Sequence, residues 1–111
     1  MGGQAIEVVA VSEQPLTWQG VAVLSLRQID RLNAAPKGTA FRAFKRVRDT
    51  LVEGQDFFVI DPAAAADDAR VAALIESLDR HDGRYASSRV VVLLSERAYA
   101  HMSAVANLSA Q

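Results

Sequence analysis

The 111 residues contain no cysteine, which excludes disulfides, thiolate nucleophiles and cysteine metal ligands at once. Histidine is nearly as scarce. His81 and His101 stand twenty residues apart with no His or Cys partner at ligand spacing, so no metal site is expected. His81 suits a helix C-terminus and His101 a helix surface. No apolar run approaches the roughly 18 to 20 residues of a membrane span, with candidates such as 8–11 (VVAV) and 90–94 (VVVLL) reaching four and five residues. The opening MGGQAIEVV has neither a basic n-region nor a secretory apolar core, so no membrane association is expected and a cytoplasmic location is. With one tryptophan and no interleaving of aromatic and basic residues, a single-strand stacking platform finds no support. Glycine-rich phosphate loops, a nucleophile elbow and a Ser-His-Asp grouping are also missing. The adjacent Asp67 and Asp68 would point about 100° apart on a helix, so they do not converge as a catalytic pair. An enzyme is not expected, nor any cofactor.

What the chain does have is enough apolar sequence for one core and a marked segregation of charge. Half the residues are hydrophobic, and residues 1–111 read as a single domain. Between Arg27 and Arg48 lie seven of the twelve basic residues and one acid, Asp30. From Asp49 to Asp79 there are eight acids and one base, Arg70. Such segregation bears on partners rather than on fold. The basic block suits a polyanion, and the acidic block reads as a solvated face or a second contact surface.

The punctuation divides the chain into short elements. Residues 6–11 (IEVVAV) and 20–25 (GVAVLS) read as an antiparallel strand pair, with Leu16 and Trp18 alternating at a strand edge between them. Ser25 and Gln28 form a capping box that opens a helix through Asn33, with Leu26, Ile29 and Leu32 inward and Arg27, Asp30 and Arg31 outward. Pro36 and Gly38 break that helix. Thr39 is read as the cap of a second helix over 40–52. There a spacing of 100° per residue puts Phe41, Phe44, Val47 and Leu51 on the core face. Arg42 and Arg46 then lie opposite, Lys45 on a flank and Arg48 at the buried edge.

Gly54 reads as a left-handed cap, and 56–60 as a strand on which Phe57 and Phe58 straddle the sheet while Asp56 bonds local amides. Asp61 and Pro62 open a third helix, carrying Val71, Leu74, Ile75 and Leu78 inward and ending near Gly83. A strand over 89–94 follows. Ser95 caps a last helix with Tyr99, Met102 and Val105 on one face. The order ββ-α-α-β-α-β-α makes a small α+β domain with an N-terminal hairpin and a helix-turn-helix-like pair.

That pair carries the functional expectation. GTAFRAFKRVRDT, 38–50, places Arg42, Lys45 and Arg46 along an outer ridge able to meet phosphates or guanine edges. The N-terminus of the second helix, with Thr39, would favour a phosphate. Lys37 in the turn, with Arg27 and Arg31 on the first helix, would clamp the flanking backbone. The bland counterpart is an arginine-rich face that water alone solvates.

The segment 21–60, VAVLSLRQIDRLNAAPKGTAFRAFKRVRDTLVEGQDFFVI, resembles the ORF-six N-terminal domain of phage and prophage antirepressor-type proteins, in the KilA-N and Bro-N group. The strand into VLSLRQID, the turn at GTAFRAFKRVRD, the EGQDFF ending and the later VVVLLSERAYAHM, 90–102, carry the likeness over about half the chain. Phe57 stands where tyrosine is common, and the alanine- and aspartate-rich 61–88 has no counterpart. The resemblance implies a phage-type regulator of transcription, repressor or antirepressor-like, that binds double-stranded DNA. A single short helix offers little specific area, so a homodimer on two half-sites is expected. The rival expectation is a phage-encoded module that binds and inhibits a host protein through the acidic region 49–79.

Overall fold

A computed structural model describes residues 14–106. Among these residues four strands and four α-helices build an α+β domain in three layers, with two short 3-10 turns between them. The strands are β1 (Leu16–Trp18), β2 (Val21–Ser25), β3 (Phe57–Ile60) and β4 (Val91–Ser95). All neighbours pair antiparallel in the spatial order β1-β2-β4-β3. The helices are α1 (Leu26–Leu32), α2 (Thr39–Val47), α3 (Ala69–Arg80) and α4 (Glu96–Ala106). No helix among the described residues is long and apolar enough to cross a membrane.

The expected first strand, 6–11, lies outside the described residues. The hairpin seen is instead β1–β2, closed by Gln19 and Gly20, both at positive φ as a two-residue turn between right-twisted strands requires. Strand alternation then sorts the core into two halves. Phe57, Val92 and Leu94 point to one face, where Ile29 of α1, Ala43 and Phe44 of α2, and Ala98 and Met102 of α4 cover them. Val23, Phe58, Val91 and Leu93 point to the other, under Val71, Leu74 and Leu78 of α3. Phe57 and Phe58 thus straddle the sheet as their adjacency requires. β4 is an interior strand covered on both faces, which is why its sequence is apolar without alternation.

Several ends follow local chemistry. Ser25 Oγ accepts from the Gln28 amide at 3.1 Å while Gln28 Oε1 accepts from the Ser25 amide at 2.9 Å, completing the capping box. Ser95 Oγ accepts from the Ala98 amide and caps α4. The Val105 side chain lies outside the described part. Asp61 caps at Pro62 as expected, yet the turn it opens is a 3-10 piece, Pro62–Ala66, and not the helix itself. α3 begins afresh because the Asp68 side chain accepts from the Arg70 and Val71 amides. Its end comes just before Gly83 as expected, but Asp82, at φ 52°, takes the left-handed position.

Two expectations about helix faces need correcting. α2 stops at Val47, well before 52, and a 3-10 turn, Arg48–Thr50, follows. Gly54 keeps its left-handed backbone but turns the chain into β3 rather than capping the helix, its amide donating to Phe57 O at 2.7 Å. The inward arc of α2 is Ala40, Ala43, Phe44 and Val47, and Phe41 is 43% exposed. The two alanines let the helix lie close to α1 and α4, which rolls the bulkier Phe41 outward.

Candidate nucleic-acid interface

Asp30, expected on the outer side of α1, is 2% exposed. Its carboxylate reaches across the turn to the start of α2, accepting from the Ala40 amide at 2.8 Å and the Gly38 amide at 3.3 Å. The Tyr85 hydroxyl donates to the same group. The residue that caps α2 in space is therefore Asp30, ten positions upstream of the amide it bonds. Gly38, at φ 93°, is the backbone N-cap, and Thr39 is the first helical residue rather than the cap. An internal carboxylate already occupies these amides, so the helix end is not the phosphate site that a bare N-terminus would offer. Burial, with the Asp30 hydrogen bond and charge adding to it, pushes the Tyr85 hydroxyl pKa up to about 12.

The twelve cations of the chain fall into two sets. Six lie within 4.0 Å of a carboxylate: Arg27 and Arg31 with Asp82, Arg70 with Asp68, Arg80 with Glu76, Arg84 with Asp79 and Arg97 with Asp56. Lys37, Arg42, Lys45, Arg46, Arg48 and Arg89 have no acidic partner among the described residues, and all six are exposed. Four of those six stand on α2 or the turn that ends it.

On α2 the outer face is as the spacing predicts for Arg42, Lys45 and Arg46. Arg42 reaches back to Thr39 Oγ1 at 3.5 Å, and Lys45 Nζ sits 4.8 Å from the centroid of the Phe41 ring. Arg46 extends without a partner among the described residues. Arg48, expected at a buried edge, is exposed, its guanidinium 5.9 Å from the centroid of the buried Phe57 ring. Lys37, in the turn, donates to Ser87 Oγ at 2.9 Å and lies 5.1 Å from the Tyr85 ring centroid.

Arg27 and Arg31 have a different occupation. Arg27 pairs with the Asp82 carboxylate at 2.6 Å and donates through Nε to the Asp82 carbonyl at 2.7 Å. Arg31 donates to that carbonyl at 2.6 Å. Together they tie α1 to the end of α3, and their charge is partly offset there. The structure therefore brings Lys37, Thr39, Arg42, Lys45 and Arg46 onto one surface and gives Arg27 and Arg31 a bracing role beside it.

Sequence reasoning missed Arg89, Tyr85 and Asp82 as neighbours of this surface. Tyr85 and Arg89 share a recess with Lys37, Gly38 and Phe41, and no local pattern links residues about fifty positions apart. The acidic block is also less free than its sequence suggests. Asp56 is buried and accepts from the Val52 amide at 2.9 Å, Asp61 caps a 3-10 turn, Asp68 caps α3, and Glu76 and Asp79 pair with arginines. Arg84 holds the Asp79 carboxyl below its usual range, and the Arg70 amide does the same for Asp68. Only Asp49, Glu53 and Asp67 of that block have no such partner among the described residues.

No group of three or more His, Cys, Asp or Glu side chains is arranged to hold a metal among the described residues. Comparison of the chain with protein-family models, curated proteins and solved structures finds no match.

Proposed function

We propose that this chain is a small phage-type regulator of transcription that binds duplex DNA through the outer face of α2. The observation that carries the reading is the sorting of cations: every arginine outside α2, its following turn and Arg89 has an acidic partner, while Arg42, Lys45, Arg46 and Arg48 have none among the described residues. Leaving four neighbouring cations unneutralised costs mutual repulsion, which a polyanion would relieve. The resemblance of 21–60 and 90–102 to antirepressor-type domains supports the same reading.

In this proposal Arg42 and Lys45, nearest the centre of the outer face, meet base edges or phosphates, and Arg46 with Lys37 grips the flanking backbone. α2 has nine residues and spans about 13 Å at the helical rise of about 1.5 Å per residue. One copy therefore covers little DNA, and two copies on half-sites about 34 Å apart would supply the missing area.

An electrophoretic retention assay with duplex DNA tests this. Arg42→Glu combined with Arg46→Glu should abolish retention of the duplex. For three to four phosphates neutralised per copy, raising salt from about 50 to about 200 mM should weaken the binding of each copy by about 40- to 150-fold. Retention unchanged in the folded double variant would overturn the assignment of α2.

A further inference from the structure

Beside the entry to α2 lies an apolar recess of about 250 Å³, walled by Leu26, Phe41, Tyr85, Val90 and Val92. Phe41 and Val90 are 43% and 41% exposed, two of only four large hydrophobic side chains so exposed among the described residues. Both line this one recess. Its floor is fixed, since the Tyr85 hydroxyl donates to buried Asp30, and Arg27 and Lys37 each lie 5.1 Å from the centroid of its ring. Val92 belongs to β4 and is buried, so the inner wall is part of the sheet.

The rim has one sign of charge. Lys37 and Arg89 flank the recess, no acidic residue lines it, and Arg89 has no hydrogen-bond or ion-pair partner among the described residues. An apolar cleft suits a side chain of a protein better than a duplex, whose outer surface is sugar and phosphate. Its cationic rim selects carboxylates.

We propose that this recess receives an acidic segment of a partner protein, which inserts one large apolar side chain between Phe41 and Val90 and sets carboxylates on Lys37 and Arg89. The inserted side chain acts as the anchor, desolvating the exposed apolar pair, and the two cations fix the direction of the segment. This recess adjoins the Arg42–Arg46 ridge and shares Lys37 with it, but Arg42, Lys45 and Arg46 take no part in its lining, and filling it does not require DNA.

Selection of short random peptides displayed against the full chain tests the proposal, followed by fluorescence anisotropy with the enriched peptides, labelled and synthesised. Enriched sequences should share an acidic residue within a few positions of a leucine, isoleucine, phenylalanine or tryptophan. Val90→Asp and Arg89→Glu, both at exposed positions, should each weaken binding by at least about tenfold. The Arg46→Glu variant, whose side chain takes no part in the recess lining, should weaken duplex retention yet bind the same peptides within about threefold, which separates failure here from failure of the DNA reading. Trp18 fluorescence confirms folding of each variant. The proposal is overturned by enriched peptides without acids, by binding indifferent to both substitutions, or by an absence of enrichment. Absence of enrichment together with duplex retention weakened by Val90→Asp would make the recess part of a nucleic-acid surface.

Discussion

Replacing Asp30 with alanine removes a carboxylate that joins α1, the entry to α2 and the 81–90 connection. Three donors lose their acceptor: the Ala40 amide at 2.8 Å, the Gly38 amide at 3.3 Å and the Tyr85 hydroxyl. Ala40 is fully buried and Gly38 and Tyr85 are half-buried, so water reaches the last two but not the first. A buried donor left unsatisfied costs about 1–3 kcal/mol, and loss of a helix cap about 1 kcal/mol. Part of this is returned because the carboxylate no longer has to be desolvated. The net expectation is a loss of about 3 kcal/mol, a large share of the roughly 5–15 kcal/mol that holds a domain folded.

Urea unfolding followed by Trp18 fluorescence measures it, since this sole tryptophan is buried in the opposite half of the core and reports global unfolding. Asp30→Asn should lose less, because its amide oxygen can still accept from Ala40. Asp30→Ala and Tyr85→Phe should couple by about 1–2 kcal/mol in a double-mutant cycle. A loss under about 1 kcal/mol in Asp30→Ala, or additivity in the cycle, would refute the claim that this carboxylate organises the helix pair.

Other consequences can be checked independently. Ala34, at φ 52°, takes the left-handed position after α1, its own amide bonded to Arg31 O and the next to Asp30 O, so Ala34→Gly should relieve strain and stabilise by about 0.5–1 kcal/mol in the same assay. A Cβ on Gly83 would stand 3.0 Å from Leu78 Cδ2 and 3.3 Å from Leu78 O, so Gly83→Ala should cost about 1–2 kcal/mol and lower the melting temperature. Tyr85 ionises less readily folded than unfolded, so its contribution is complete below pH about 10 and is lost as pH climbs to about 12. The stability gap between the wild-type protein and Tyr85→Phe should close across that window. A tyrosinate absorbance titration placing Tyr85 near pH 10 would contradict its burial against Asp30.

Devices that act within a few residues were legible from sequence. The Ser25–Gln28 box, the Asp61 cap at Pro62, the Ser95 cap and the spacing of Val71, Leu74 and Leu78 all appear where their chemistry predicts, although the helix expected from Pro62 begins only at Ala69. Each depends on one stretch of backbone meeting its own side chains. The class of fold followed from these, as did the outward placement of Arg42, Lys45 and Arg46, because an amphipathic helix has only one face to bury.

Tertiary structure decided what periodicity leaves open. A helical pattern sets angles between residues but not which arc meets a neighbour, so only packing against α1 and α4 could choose Ala40 and Ala43 over Phe41. Charge pairing is likewise a long-range choice. Arg27 and Arg31 meet Asp82 more than fifty positions away, Asp30 turns inward to amides and a phenol, and Arg89 arrives beside Lys37. The sequence by itself determined a basic helix and the outward side that carries Arg42, Lys45 and Arg46. Folding determined which charges were neutralised, because a carboxylate acts over a few ångströms and chain distance says nothing about which cation comes that near.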